Sequence, residues 1–281
     1  MNRNLLILLS SLVGLFLVSL LIGSRDKSLS NVKRSKTIRI GYAVEAPYAF
    51  NRPDGSVTGE APEVASEIAG MLGISNIVWI QTSFDSLLAG LESGRFDIAA
   101  SGLFITAERS NRVLFSRPTF IARSGLLVQR DNPHDIRGVE DVIGNSKIVI
   151  AVLDGAVEGN RLLDLGVASI QIMVVPDAAT GRAAVQSQAA AGFALSAATV
   201  RWMTQENKDT LEAVVPFDSK ESNDLQYGGF AFGPKAYRLR SAFDEQLNQF
   251  IGTERHLALV SAFGFTEEDC PSQRSAGEVL R

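Results

Sequence analysis

Apolar and polar positions follow two periods along the chain, and the sequence of periods occurs twice. Thr37-Ile-Arg-Ile-Gly-Tyr-Ala-Val44 mixes β-branched residues with polar ones and runs into the loop Glu45-Ala-Pro-Tyr48, which predicts a first strand. Val64, Ala65, Ile68, Ala69 and Leu72 then recur at three- and four-residue spacing, with Pro62 suited to a first helical position and Gly73 to a left-handed cap, so a helix follows. Ile77 to Gln81 predicts a second strand, Ser83 the cap of a helix with Phe84, Leu87, Leu88 and Leu91 on its apolar face, and Ile98 to Ser101 a third strand. Strands alternating with helices of this length imply βαβ units and a parallel sheet covered on both faces.

The pattern then restarts. Ser124 to Val128 is extended, Arg130 to Pro133 is a turn, and Lys147 to Leu153 is a buried strand followed by a helix from about Ala156 to Leu165. Ile170 to Val175, a helix from about Ala178 to Ala190, the strand Phe193-Ala-Leu195 and a helix capped by Ser196 complete the second round. A strand at Tyr227 to Phe232 and amphipathic helices at about 236–251 and 254–263 close the chain before a polar tail. Two α/β lobes with a cleft between them are expected: lobe 1 from residues 37–128 and 228–267, lobe 2 from 129–227, and a tail over 268–281. Hinge strands are expected near Leu127–Arg130 and Asp224–Gly228.

Residues 1–24 are a separate object. Leu5 to Ile22 is apolar without one charge, which fits either the core of a secretory signal peptide or a short membrane anchor. Both readings imply export to the periplasm, with residues 25–36 as a polar tether.

Composition narrows the chemistry. Lys+Arg 27 against Asp+Glu 31 gives a net charge of -4, which argues against a nucleic-acid backbone as partner. The single cysteine, Cys270, excludes an internal disulfide, and with only His134 and His256 beside it no cysteine- or histidine-built metal centre is expected. No phosphate loop, dinucleotide fingerprint, nucleophile elbow or zinc-protease motif occurs, so neither a cofactor nor hydrolytic chemistry is expected.

Placement supplies the positive signal. In open α/β sheets ligands bind beyond the carboxyl ends of the strands. Those ends carry Glu45 and Tyr48, then Phe84, then Gly102 and Phe104 with Thr106 and Arg109, and in the second round Gly155-Ala156-Val157 and Ser196. One carboxylate, three aromatic rings and one guanidinium converge. Taken singly, Arg109 reads as a solvated arginine at a helix start, Phe84 and Phe104 as core aromatics, and Glu45 as a loop carboxylate. Asp97 is expected to be structural, Asp154 a turn residue, and His134 and His256 surface groups.

Gly102-Leu-Phe-Ile-Thr-Ala-Glu-Arg109, followed by Val113-Leu-Phe-Ser116, resembles the signature of the family 3 periplasmic substrate-binding proteins of ABC importers. The resemblance extends from about Thr37 to Glu267 and includes Gly59-Glu-Ala-Pro62, Gly94-Arg-Phe-Asp97 and Tyr227-Gly228. Within the family, Gly41-Tyr-Ala-Val-Glu-Ala-Pro-Tyr48 and His256-Leu-Ala-Leu-Val-Ser-Ala-Phe-Gly-Phe265 are most similar to ectoine and hydroxyectoine binders. What this implies is a two-lobed α/β fold of the type II periplasmic-binding-protein kind, closing on a small zwitterionic ligand and delivering it to an ABC permease, with a monomer expected. By the same resemblance Arg109 clamps the ligand carboxylate with help from Thr106 and the backbone after Gly102, and Glu45 faces the cationic ring. Tyr48, Phe84 and Phe104 form an aromatic box, and Ala156, Val157 and Ser196 supply second-lobe contacts. The threonine and aspartate that many amino-acid binders use from the second lobe have no clear match here. A polar amino-acid binder and a cyclohexadienyl dehydratase-like enzyme using Glu45 as its acid are the alternatives on the same fold.

Overall fold

The computed structural model describes residues 26–217 and 225–271. The apolar run Leu5 to Ile22 and Asp224 of the expected second hinge lie outside the described residues. Among those described, no helix is long and apolar enough to cross a membrane.

The chain opens with helix α1 (Ser28–Ser35), then strands β1 (Thr37–Tyr42), β2 (Phe50–Asn51) and β3 (Val57–Thr58). Helix α2 (Glu60–Met71), strand β4 (Asn76–Gln81), helix α3 (Leu87–Glu92), strand β5 (Ile98–Ala99), helix α4 (Ala107–Ser110) and strand β6 (Leu114–Phe115) follow. Short strand β7 (Phe120–Ala122) leads to β8 (Ser124–Gln129), α5 (Val139–Ile143), β9 (Ile150–Leu153), α6 (Val157–Asp164) and β10 (Ile172–Val175). After these come α7 (Ala178–Gln186), β11 (Gly192–Ser196), α8 (Ala197–Glu206) and β12 (Leu211–Val214). The return passage is β13 (Gln226–Gly228) and β14 (Ala231–Phe232), ending in α9 (Tyr237–Phe250) and α10 (Glu254–Ser261).

Two five-stranded sheets result. The first runs β4-β1-β5-β14-β6, with β4, β1 and β5 parallel and β14 antiparallel to both its neighbours. The second runs β10-β9-β11-β8-β12, with β10, β9 and β11 parallel and β8 and β12 antiparallel. The chain crosses from the first sheet to the second through β7 and returns through β13, and these two passages pair with each other from Gln226 opposite Ala122 to Gly228 opposite Phe120.

Three sequence expectations change. Residues 124–128 belong to the second lobe, because β8 pairs with β11 and β12 at the heart of that sheet. The first crossing therefore precedes Ser124 and does not lie at Leu127–Arg130. The polar stretch after Arg25 is not an extended tether. Val32 of α1 is buried and Leu29 packs against the first core, while the Asp26 carboxylate accepts from the backbone N–H of Ser28 at 2.8 Å and of Arg238 at 2.6 Å, pinning the helix start to α9. Finally, Ser83 does not cap α3, which begins four residues later. Phe84 therefore stands in the turn between β4 and α3.

Each sheet has its own core. Ile38, Ile40, Val64, Ile68, Phe230, Phe232, Phe243 and Leu247 pack the outer face of the first, and Leu126, Val128, Ile150, Val152, Leu162 and Phe217 that of the second. A further cluster is continuous across both lobes, joining Phe84, Leu88 and Leu103 to Leu153 and Leu195. The lobes are therefore in contact along the cleft, and burial of apolar area at roughly 25 cal/mol per Å² favours that contact. Asp97 is structural, as expected: it accepts from the Arg39 backbone at 2.9 Å and pairs with its guanidinium at 2.8 Å. His256 is not a surface group. It is 0% exposed on the inner side of α10, its ring set edge-on against Phe250, and its Nδ1 accepts from the Gly252 N–H at 3.2 Å.

Candidate functional site

Three strand ends of the first sheet and two of the second meet around a narrow space of about 10 Å3, the room of a single water. From the first lobe it is lined by Glu45, Tyr48, Phe84, Gly102, Phe104 and Arg109, and from the second by Ala156, Val157, Glu158, Leu195 and Ser196. Thr106 is not on this wall. Its hydroxyl instead accepts from the Arg109 backbone N–H at 3.2 Å, capping the short helix α4 and so setting where Arg109 begins.

Arg109 is 6% exposed and lies at the centre of the site. One terminal nitrogen donates to the Phe104 carbonyl within its own loop and the other to the Gly155 carbonyl of the opposite lobe, both at 2.9 Å. Its guanidinium carbon sits 5.7 Å from the Phe84 ring centroid, within cation–π range. Burial pulls its pKa down, and the carboxylates of Glu158, Glu108 and Glu45 work against that. A guanidinium has five N–H donors in a rigid fork. The two carbonyls engage two of them, and the rest remain for a planar anionic partner.

The loop that carries Arg109 is itself anchored to the crossing strand. Phe104 bridges to Gly228, Ile105 N–H donates to the Tyr227 carbonyl at 2.8 Å, and Gly229 N–H to the Leu103 carbonyl at 3.1 Å. A change in the angle between lobes thus acts on the same backbone that presents the guanidinium.

Glu45 faces Arg109 from the loop after β1, 6% exposed. Its Oε1 accepts from the Thr199 hydroxyl at 2.8 Å, a bond that crosses between lobes. Burial drives its pKa up to about 7, with the charge of Glu158 adding to the rise and the Thr199 hydrogen bond and Arg109 opposing it. Tyr48 stacks within the first core, 4.7 Å from the Phe120 centroid and 5.4 Å from that of Phe265. Its hydroxyl is buried with no hydrogen-bond partner of ordinary geometry among the described residues, and burial pushes its pKa well above the usual phenol value, with the nearby Ser196 hydroxyl opposing the rise.

Two glycines allow the walls to meet. At Gly102, φ is +65° and a Cβ would come 2.5 Å from Tyr48 Cγ. At Gly155, φ is +75° and a Cβ would come 2.7 Å from Asp85 Cα across the cleft. Gly102→Ala is expected to combine left-handed strain of roughly 1 kcal/mol with an overpacking cost of about 1–3 kcal/mol. At about 2–4 °C per kcal/mol for a chain of this size, a melting curve should fall by several degrees. An unchanged midpoint would show that Tyr48 is free to move aside.

All ten residues singled out in the sequence thus lie at this junction, nine on the cavity wall and Thr106 beneath Arg109. Three more were missed. Glu158 is the second residue of α6, Leu195 precedes Ser196 on β11, and Thr199 is 0% exposed in the first turn of α8. Thr199 carried a readable signal, since Ser196-x-x-Thr199 is the spacing at which a capping side chain meets the third helical residue. The Ser196 oxygen indeed accepts from Thr199 N–H at 3.2 Å.

The model of the bacterial extracellular solute-binding proteins, family 3, matches residues 38–261. The probable amino-acid ABC transporter periplasmic-binding protein y4tE of Sinorhizobium fredii is 33% identical over 261 residues, covering 91% of this chain and 85% of its own. The crystal structure of EhuB in complex with hydroxyectoine superposes with a TM-score of 0.80 at 27% identity, covering 90% of this chain and 96% of that one. The ancestral amino-acid-binding protein AncCDT-1, a precursor of cyclohexadienyl dehydratase, shares the fold with a TM-score of 0.74 at 22% identity, covering 84% of this chain and 99% of its own. These relatives are binding proteins rather than enzymes, and the family is an exported one, which places the protein in the periplasm as a substrate-binding component of an ABC transporter. The paired chain crossings, the convergence of strand ends from both lobes and the match over residues 38–261 agree: the chain belongs to the family 3 bacterial extracellular solute-binding proteins.

Proposed function

We propose that the protein captures a small zwitterion of the ectoine or hydroxyectoine kind between its lobes and hands it to a membrane permease without making or breaking a bond. The observation that carries this reading is the composition of the cavity wall. A buried guanidinium, a buried carboxyl and aromatic faces meet at one interlobe space, while the second-lobe wall offers Ala156, Val157 and Leu195 beside Glu158 and Ser196. A ligand carboxylate would take the spare donors of Arg109 as a charge-assisted pair. A delocalised ligand cation would lie against Tyr48, Phe84 and Phe104 with Glu45 as its counter-charge, each good cation–π contact contributing about 0.5–2 kcal/mol. The hydroxyectoine-bound relative supports the same choice.

A polar amino acid is the rival ligand, favoured by the name of the Sinorhizobium relative. Titrating the wild type and Phe104→Ala with ectoine and with glutamine separates the two. Ectoine is expected to bind more tightly to the wild type, and Phe104→Ala to narrow the gap by weakening the ring contact more than the carboxylate contact. Tighter wild-type binding of glutamine would overturn the ligand assignment and leave the binding-protein assignment standing. Incubation with prephenate, followed in the ultraviolet, is expected to show no turnover.

A further inference from the structure

We infer that Thr199 is a positioning residue: from the second lobe its hydroxyl aims the Glu45 carboxylate at the ligand, so that the cation-binding half of the site is complete only when the lobes are together. The inference rests on the reading of Glu45 as the ligand's counter-charge and deepens it.

Glu45 lies on a loop of the first lobe, yet among the described residues the one hydrogen bond to its carboxyl comes from the other lobe, Thr199 Oγ1 to Glu45 Oε1 at 2.8 Å. Thr199 is held in turn. Its backbone N–H donates to Ser196 Oγ at 3.2 Å, and the two hydroxyl oxygens are 3.1 Å apart. A threonine hydroxyl has one proton. When Glu45 is ionised, Thr199 must donate to it, and the proton between the hydroxyls then comes from Ser196. The relay runs Ser196 to Thr199 to Glu45, starting at the N-terminus of α8 (Ala197–Glu206). When Glu45 is protonated, the same three oxygens accommodate the reverse polarity, with Glu45 donating. The relay therefore follows the charge on Glu45, and its ionised form gains a charge-assisted bond that the open protein does not supply.

The groups facing Glu45 leave this donor with a distinct task. Glu158 at the start of α6 disfavours the Glu45 charge, and Arg109 from α4 favours it through space. Tyr48, on the same loop, has its phenol pushed further above neutrality by burial, so it supplies no charge near pH 7. Thr199 is the neighbour that stabilises the Glu45 charge through a direct hydrogen bond. Without it, a carboxyl this deeply buried takes a proton at higher pH and presents an O–H, not a negative oxygen, to a ligand cation.

The test uses Thr199→Val, which keeps the shape and removes the hydroxyl, and Thr199→Ser, which restores it. Two readouts are taken on the full chain, with melting curves confirming that each variant folds. The first is the Glu45 carboxyl titration by 13C NMR in protein saturated with ectoine, where the lobes are together. Its midpoint is expected to rise in Thr199→Val and to return in Thr199→Ser. The second is calorimetric affinity for ectoine at pH 6 and pH 8. Wild-type affinity should strengthen with pH as Glu45 ionises, and Thr199→Val should weaken binding by roughly tenfold or more at pH 6, the size expected for one hydrogen bond to a charged group. A smaller deficit is expected at pH 8. A Glu45 midpoint that is the same in all three proteins overturns the inference, as does unchanged ectoine affinity in Thr199→Val. If the wild type binds neither ectoine nor glutamine, the functional reading fails on that ground alone, whereas an unmoved Glu45 midpoint in protein that does bind ectoine overturns the role of Thr199.

Discussion

Arg109→Ala is expected to abolish measurable binding of ectoine, hydroxyectoine and glutamine alike while leaving the circular-dichroism spectrum of the protein intact. The side chain stands in three relationships at once. It holds the Phe104 carbonyl of its own loop, reaches the Gly155 carbonyl of the other lobe, and lies over Phe84. Removal leaves a ligand carboxylate buried without a counter-charge, which typically costs about 2–5 kcal/mol, or a factor of roughly 30 to several thousand in affinity. It also deletes an interlobe bond and the cation that opposes protonation of Glu45. The fold should survive, because the loop is anchored through backbone bonds to Tyr227 and Gly229 and α4 is capped by Thr106, none of which needs the guanidinium. Arg109→Lys should fall between the two, since an ammonium keeps the charge but not the planar fork. Calorimetric titration of the three proteins with each probe checks this, and affinity within a factor of three of the wild type for Arg109→Ala overturns the clamp assignment.

The same residue shows why part of the site was legible in the sequence. Arg109 follows a strand end within an Ile-Thr-x-x-Arg arrangement, and strand ends are where an open α/β sheet places its ligands. Glu45, Phe84 and Ser196 follow strand ends in the same way, so a period-counting argument and one topological rule place them together. Thr199 and Glu158 were not legible by that route, because each lies within the first turn of a helix rather than on the preceding loop. Their inclusion depends on how closely the lobes approach. Gly155 against Asp85 sets that approach, and nothing in a single chain's hydropathy reports the distance between two lobes.

Long-range pairing explains the misplaced lobe boundary as well. β8 is apolar and extended in the sequence, which identifies it as a buried strand, but its membership of the second sheet depends on β11, nearly seventy residues later, and on β12. A run of apolar residues carries no record of its partner. The same holds for α1, whose weakly apolar stretch is helical because Asp26 and Ser28 meet the start of α9 more than two hundred residues away. His256 was assigned to the surface on residue type alone. The face of α10 that includes Val260 turns it inward, where Gly252 and Phe250 receive it.

Glu60→Gln is expected to change stability strongly while sparing the ligand site, and to do so only above a definite pH. Glu60 begins α2 at 1% exposure, and neither of its carboxyl oxygens has a hydrogen-bond partner among the described residues. Burial alone drives its pKa up to about 8, from 4.5 as an ordinary carboxyl. A carboxyl whose folded pKa exceeds its unfolded one binds its proton more tightly in the folded state. The stability this confers is fully present below pH 4.5 and is lost as the pH rises towards 8. At 1.36 kcal/mol per pH unit the loss amounts to on the order of 5 kcal/mol, a large share of the net stability of an ordinary domain. Glutamine keeps the shape and cannot ionise, so the difference in unfolding free energy between Glu60→Gln and wild type should swing in the variant's favour between pH 4.5 and pH 8.5. Any cost of burying the amide is constant across that range and does not affect the swing. Glu45 contributes in the same direction up to about pH 7, and His256, whose pKa burial lowers to about 4, contributes the opposite loss as the pH falls below 6.5. Both are present in the two proteins and cancel in the difference. Guanidinium unfolding at pH 4.5, 6.5 and 8.5 measures it, and a difference that stays flat across the three would mean that Glu60 ionises in the folded protein as readily as in the unfolded chain.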